Sequence, residues 1–141
     1  MLCVSAVGVV KYFIAMHRNI IEKLRNANLL GRGGAAFPAW QKWEAVKNGH
    51  GGKYVVANGS EGEPGVFKDG YILEHYAEEF LNGLKIAVEF LSAKEAVIYL
   101  NHDYYKKFKE KLQNLAGDLP IRVLRNTALI LGERRRLCLI L

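Results

Sequence analysis

Hydrophobic and polar residues between positions 17 and 57 are spaced in a way that predicts two helices and a strand. Residues 17–30 carry apolar side chains at helical intervals until a glycine-rich stretch interrupts the pattern. A second helix is predicted over residues 40–47, since Pro38 suits a helix start and Asn48–Gly49 ends the pattern. Residues 53–57 (KYVVA), bounded by glycines, have the composition of a buried strand.

Strands and helices are predicted to alternate in the rest of the chain. The predicted elements are a loop over residues 58–70, a helix over 71–93, a strand over 95–100, a helix over 103–115 that begins near Asp103, and a strand over 121–124. Alternation of this kind requires crossover connections and a parallel sheet. The predicted fold class is therefore α/β: a Rossmann-like, three-layer, partly parallel sheet with flanking helices.

Composition and charge narrow the function classes without choosing one. At 141 residues, 50% hydrophobic and 24% charged, the chain has the composition of one globular domain and not of a disordered protein. A net charge of +6 suits an anionic partner of any kind. A nucleic-acid-binding domain has only this charge and the run Arg134–Arg136 in its favour, because no nucleic-acid motif is present. No nucleic-acid partner is therefore predicted.

The few cysteines and histidines offer no metal site. Cys3 and Cys138 cannot form a cysteine-rich site, and the four histidines are widely scattered, so no metal ligand and no iron–sulfur cluster is predicted. The apolar residues 1–15 are too short to span a bilayer and are interrupted by Lys11. They are interpreted as an amino-terminal extension, and no direct membrane insertion is expected.

A glycine loop, Gly31-Arg32-Gly33-Gly34, precedes the second predicted helix. Glycines let backbone N–H groups approach a phosphate closely, and the helix that follows adds its positive end. Arg32 could grip a phosphate or stack on a ring. The pattern is neither the GxGxxG dinucleotide fingerprint nor a phosphate loop ending in GK[ST], and many such loops are only turns.

An acidic loop, NGSEGEPG over residues 58–65, follows the first predicted strand. The carboxyl ends of parallel strands are where open α/β sheets bind ligands. Glu61 and Glu63 can accept hydrogen bonds from ribose hydroxyls or a flavin N–H, and Asn58 both donates and accepts. The alternative is a solvated acidic turn, and only the two loops in this order favour the ligand site.

Taken together, LGRGGAAFPAWQKW and KYVVANGSEGEPGVFKDG resemble the 51 kDa flavoprotein subunit of respiratory NADH:quinone oxidoreductase and its relatives in NAD-linked hydrogenases and formate dehydrogenases. The resemblance extends over residues 16–133, which would form the FMN- and NADH-binding domain, and residues 134–141 would be a non-matching basic tail. It implies an FMN-binding NADH dehydrogenase module that passes electrons from NADH to iron–sulfur clusters.

The resemblance also implies binding roles for particular residues. The flavin and its phosphate would be held by Gly31, Arg32, Gly33, Gly34 and Lys42, with Asn58, Ser60, Glu61, Gly132 and Glu133 around the ring and ribityl chain. NADH would meet Glu63 and stack on Phe37. No residue is predicted to be catalytic, because hydride transfer is the chemistry of the cofactor. Without the resemblance, Lys42 would be interpreted as a surface charge and Phe37 as a core aromatic residue.

Several positions depart from the pattern of the family. The family usually has Asp at the position of Ser60, Gly at that of Ala36, an aromatic residue at that of Ala45 and a carboxylate at that of Arg134. Loss of charge at Ser60 and of a stacking surface at Ala45 weakens the expectation for NADH more than that for FMN. An incomplete copy or a shifted reading frame near residue 133 would explain the carboxyl-terminal departure.

The chain as given lacks the cysteine-rich domain of the family, so the family's [4Fe-4S] cluster cannot be bound by it. The resemblance implies a thioredoxin-like [2Fe-2S] subunit and a larger iron–sulfur subunit as partners, at the cytoplasmic side of a membrane. By the resemblance the chain is part of an NADH dehydrogenase, and on its own it is expected to be weakly active or inactive. The alternative function is a flavin- or nucleotide-binding module without turnover.

Overall fold

Two compact units divide the chain, residues 1–45 and residues 46–141. In this computed structural model, residues 19–31 and 35–126 and the backbone of residues 137–140 are described. The helices are α1 (Ile20–Asn26), α2 (Ala39–Asn48), α3 (Lys68–His75), α4 (Ala77–Leu91) and α5 (His102–Ala116). The strands are β1 (Lys53–Gly59), β2 (Glu95–Leu100), β3 (Ile121–Arg125) and β4 (Leu137–Ile140).

The amino-terminal unit contains α1, the glycine loop and the start of α2. The backbone N–H of Ala39 donates to the carbonyl oxygen of Leu29 at 2.9 Å, and Leu30 and Pro38 form an isolated antiparallel bridge. The Arg25 guanidinium lies 4.2 Å from the centre of the Trp40 ring. These contacts bring Leu29 and Leu30 next to Pro38 and Ala39.

A four-stranded parallel sheet with the order β3-β2-β1-β4 organises the carboxyl-terminal unit. The chain passes from β1 to β2 to β3 in one direction, and β4 then pairs with the opposite edge of β1, with Lys53 opposite Leu137. The predicted α/β class with a parallel sheet is confirmed. β4 was not predicted, because its residues lie in the segment that the sequence indicated as a tail.

Helices α4 and α5 pack against the sheet and against each other. Apolar side chains recur every three or four residues along both helices, which places one face of each in the core. The strands contribute short buried side chains, and β2 is buried along most of its length because strands flank it on both sides. The largest fully buried side chains are Leu84, Leu91, Ile98, Leu100, Leu112 and Val55.

Two predicted boundaries were wrong. The loop predicted over residues 58–70 ends earlier, since α3 begins at Lys68. The single helix predicted over residues 71–93 is two helices, separated at Tyr76 by a non-helical backbone (φ −132°, ψ 34°), with no glycine or proline to mark the break. The helix predicted to begin near Asp103 does so: α5 begins at His102, directly after Asn101, whose side chain accepts a hydrogen bond from the backbone N–H of Tyr104 and caps the helix.

Candidate functional site

The acidic loop begins at the carboxyl end of β1, the strand from which the sheet extends in both directions. β2 pairs with one edge of β1 and β4 with the other. Strands added after β1 therefore extend the sheet first on one side of β1 (β2, β3) and then on the other (β4), so the strand order reverses at β1. Open parallel sheets bind ligands at such a reversal, because the connections on its two sides diverge and leave a crevice. The loop therefore occupies the position at which this fold class places a ligand.

Polar side chains from three neighbouring strand ends meet beside the loop. Asn126, which follows β3, donates from Nδ2 to Ser60 Oγ at 2.5 Å and accepts at Oδ1 from the Tyr99 hydroxyl at 2.9 Å. Asn58 Oδ1 accepts from the backbone N–H of Ser60 at 3.2 Å. Ser60 accepts a bond from Asn126 and still has its own hydroxyl proton to donate. These groups form a neutral, hydrogen-bonding edge.

Glu61 is directed into the protein rather than outward. Its side chain is 3% exposed. Its Oε2 accepts from the Tyr104 hydroxyl at 2.7 Å, and its Oε1 accepts from the backbone N–H of Asp69 at 3.2 Å. The Gly70 N–H lies 3.5 Å from Oε2, and Lys68 Nζ lies 3.9 Å from Oε1.

These partners decide the charge state of Glu61. Burial raises the pKa of its carboxyl, but the bond from Tyr104, the backbone N–H groups of Asp69 and Gly70, and the charge of Lys68 together outweigh burial. The net result is a pKa below the ordinary value, so Glu61 is ionised at neutral pH. The same bond is the main cause of a raised pKa of the Tyr104 hydroxyl. Burial and the nearby carboxylates of Glu61 and Asp69 raise this pKa further.

Glu63 occupies a different environment, although it lies only two residues further on. The residue is exposed, and its carbonyl oxygen accepts from the backbone N–H of Val66 at 3.2 Å in a turn. Gly65 takes φ 80° there, a backbone conformation that favours glycine. The two glutamates that looked equivalent in the sequence therefore differ: one carboxylate is engaged within the protein, and the other projects from an exposed turn.

The amino-terminal unit contains the other predicted residues. The backbone N–H of Gly31 donates to the carbonyl oxygen of Phe37 at 2.8 Å, which closes the base of the glycine loop. Phe37 is 42% exposed, and Lys42 Nζ lies 5.6 Å from the centre of its ring. Ala36 has φ 47°, a left-handed conformation that disfavours residues with a Cβ. Glycine, which the family resemblance leads us to expect there, would adopt it without strain.

The structure brings together part of the predicted site. Asn58, Ser60 and Glu61 lie together at the carboxyl edge of the sheet, and Phe37 and Lys42 lie together in the amino-terminal unit. The predicted residues Arg32, Gly33, Gly34, Gly132 and Glu133 lie outside the described residues.

Sequence reasoning missed Asn101, Tyr104 and Asn126. Asn101 and Asn126 directly follow β2 and β3, so the rule that pointed to the acidic loop could have found them. Tyr104 carried no comparable signal.

No cluster of three or more metal-ligating side chains occurs within the described part of the chain. Nor do the helices described here include one long and apolar enough to cross a membrane.

A parallel α/β domain with polar groups at the reversal point of its sheet belongs to the class of cofactor- and nucleotide-binding domains. The sequence profile of the Nuo51 FMN-binding domain, from the complex I 51 kDa family, matches residues 24–140. The chain belongs to this family, which confirms the resemblance seen in the sequence. The match includes most of the segment for which a non-matching tail was predicted.

Curated relatives are respiratory and hydrogenase subunits. The chain is 37% identical over 98 residues to an NADH-quinone oxidoreductase subunit of Rhizobium meliloti, covering 69% of this chain and 23% of the relative. It is 35% identical over 103 residues to the alpha subunit of the NAD-reducing hydrogenase HoxS of Cupriavidus necator, covering 70% and 17%. The chain therefore spans about a fifth of the length of these relatives.

A solved structure shares the fold. A chain of an NAD+-reducing [NiFe]-hydrogenase in the air-oxidized state superposes with a TM-score of 0.69 at 28% identity, covering 77% of this chain and 20% of that chain.

Proposed function

We propose that this chain is the FMN-binding part of an NADH-oxidising flavoprotein, the part at which NADH delivers a hydride to the flavin. The observation that carries the proposal is the position of the acidic loop at the reversal point of the parallel sheet, in a chain that belongs to the FMN-binding family.

The residues at the sheet edge fit a flavin in their chemistry. An isoalloxazine ring and a ribityl chain present carbonyl, N–H and hydroxyl groups but little charge. Asn58 and Ser60 are neutral, can both donate and accept, and stand at the end of β1. The neutral Asn126 extends this edge, which matches the uncharged part of FMN.

The charged part of FMN needs cationic and backbone donors, which the other predicted residues supply. We assign the phosphate to the glycine loop, residues 31–34, and to Lys42 of α2, because glycine N–H groups and an ammonium suit a phosphate. Gly132 and Glu133 are assigned further flavin contacts.

For NADH, the exposed ring of Phe37 is assigned a stacking role and the exposed Glu63 a polar contact. Bound FMN supplies the hydride-accepting chemistry, and the protein supplies orientation. In an assembled complex we propose a thioredoxin-like [2Fe-2S] subunit and a larger iron–sulfur subunit as partners, at the cytoplasmic side of a membrane.

A second candidate function is flavin binding without turnover. It is favoured by Ser60, a neutral residue engaged by Asn126 where the family usually has Asp. Ala45 and Arg134 add to it, since one lacks a stacking surface and the other inverts a charge. Both candidates require FMN to bind, and they differ only in what happens when NADH is added.

A fluorescence titration of FMN with the purified chain tests the proposal. Gly33→Asp should abolish saturable quenching, because it adds bulk and negative charge to the phosphate loop. Gly83→Asp is the matched control: it makes the same change at a helix position where a Cβ would meet nothing within 4 Å. Quenching that is absent in the folded wild-type chain, or equal in both variants, would contradict the proposal.

Anaerobic addition of NADH to the loaded chain then separates the two candidates. Loss of the visible flavin absorbance indicates an NADH-oxidising module. Unchanged absorbance with FMN still bound indicates binding without turnover.

A further inference from the structure

Glu61 stabilises the start of a helix to which it does not belong. The first N–H groups of a helix have no partner within it, and Phe67, the residue before α3, supplies no side-chain cap. The Glu61 carboxylate fills this role, since its Oε1 accepts from Asp69 N–H at 3.2 Å and its Oε2 lies 3.5 Å from Gly70 N. A carboxylate at a helix amino terminus is also favoured by the helix dipole.

Two residues at the start of α5, its cap Asn101 and Tyr104 of its first turn, hold Glu61 in place. The Tyr104 hydroxyl donates to the carboxylate at 2.7 Å, and Asn101 Nδ2 donates to the backbone carbonyl oxygen of Glu61 at 2.7 Å. The other end of the Asn101 amide accepts from the backbone N–H of Tyr104 at 2.9 Å. The side chain of Glu61 is thus anchored to the first turn of α5, and its backbone to the residue that caps this helix.

Glycine at position 70 makes this arrangement sterically feasible. A Cβ at Gly70 would lie 2.5 Å from the Tyr104 hydroxyl oxygen, far inside contact distance. Any side chain there would push the phenol away from Glu61. Three separate segments, the acidic loop, α3 and α5, therefore meet at one carboxylate.

We propose that Tyr104 and Asn101 are positioning residues that act through Glu61 to hold residues 58–62 in the conformation that receives the flavin. The inference rests on the proposed function. The inference also refines the proposed function. Because the Glu61 carboxylate is hydrogen-bonded within the protein, the flavin contacts come from Asn58, Ser60 and the loop backbone.

The test compares Tyr104→Phe with Tyr105→Phe in the full 141-residue chain. Tyr105 is the adjacent tyrosine of α5, and within the described residues its hydroxyl has no hydrogen bond. In Tyr104→Phe we expect hydrogen exchange at the Asp69 and Gly70 amides to accelerate about fivefold to tenfold, the equivalent of one lost hydrogen bond. The FMN dissociation constant should rise by a similar factor, and the fluorescence at saturating FMN should change. Tyr105→Phe should match the wild type throughout.

A second variant separates positioning from simple support of the helix. Asn101→Asp keeps an acceptor that caps α5, since Asp and Asn are comparable caps, but removes the donor to Glu61. A purely structural cap predicts wild-type FMN affinity and wild-type fluorescence at saturation. Positioning predicts weaker binding and altered fluorescence, measured at a temperature where circular dichroism shows a folded chain.

Several results would overturn the inference. Unchanged exchange in Tyr104→Phe would show that the hydroxyl does not hold the loop. Faster exchange with unchanged FMN affinity would show that the hydrogen bond between Tyr104 and Glu61 has no role in binding. A folded wild-type chain that binds no FMN would overturn both the proposed function and the role of Tyr104 and Asn101 in FMN binding. The exchange rates would still show whether the bond between Tyr104 and Glu61 holds the loop.

Discussion

Replacing Glu61 by Gln tests whether the buried carboxylate stabilises the fold through its charge. At neutral pH the carboxylate is 3% exposed and accepts a bond from Tyr104 at 2.7 Å. Hydrogen bonds to a charged group contribute about 1.5–3 kcal/mol, and neutral ones about 0.5–1.5 kcal/mol. Glutamine has the same shape without the charge, and its NH₂ group cannot accept from a backbone N–H. We expect the free energy of unfolding to fall by about 1–2 kcal/mol at pH 7.

The pH dependence has a definite sign. The pKa of Glu61 is lower in the folded chain than its ordinary value of 4.5. The ionised carboxylate therefore stabilises the folded state fully at pH values above the ordinary pKa of 4.5. This stabilisation is lost as the pH falls through the lower pKa of the folded state. Glu61→Gln resembles the protonated form. Its deficit relative to the wild type should be full at pH 7 and shrink toward pH 3.

Urea unfolding followed by circular dichroism between pH 3 and pH 7 provides the measurement. Glu110→Gln, at an exposed position of α5, makes the same charge change and should stay within about 0.5 kcal/mol of the wild type. A Glu61→Gln deficit below about 0.5 kcal/mol at pH 7, or one of equal size at both ends of the pH range, would refute the reasoning.

Three further substitutions have expected outcomes that urea unfolding can check. Ala36→Gly should stabilise the chain by about 0.5–1 kcal/mol, because relief of the left-handed backbone outweighs the extra freedom of glycine; a loss of stability would contradict the φ of 47°. Ile98→Ala should cost about 2–5 kcal/mol, since the side chain is fully buried in the inner strand β2, and a cost below about 1 kcal/mol would contradict this packing. Arg122→Ala should cost about 1 kcal/mol or less and lose its effect in high salt, since both bonds to Glu95, at 2.7 Å, are exposed to solvent; a large, salt-independent cost would disprove that view.

The sequence predicted the parallel sheet well because β1, β2 and β3 are short apolar runs separated by helical patterns. The break between α3 and α4 was beyond it, since Tyr76 lies in a continuous helical pattern and adopts its non-helical backbone without a glycine or proline. The sequence did not predict β4, because this strand pairs with β1 through residues 53–56 and 137–140, which are distant in the sequence. Local patterns report local structure, and tertiary pairing overrides them.

Within the candidate site, the sequence located the acidic loop but not the different environments of its two glutamates. Glu61 and Glu63 are equally polar and flanked by the same glycine. Only the fold brings Tyr104 and Asn101, some 40 residues away, to Glu61, while Glu63 remains in an exposed turn. At position 36 the sequence was informative: the family resemblance indicated glycine there, and the left-handed backbone of Ala36, with φ 47°, explains why glycine is favoured.

Nuclear magnetic resonance mapping of FMN on the ¹⁵N-labelled chain tests the central claim most directly. If the reversal point of the sheet is the flavin site, saturating FMN should shift the amide signals of residues 58–62 and of the glycine loop, residues 31–34, more than any others. Binding whose largest shifts lie along the exposed face of α5, or a folded chain whose spectrum FMN leaves unchanged, would contradict the claim.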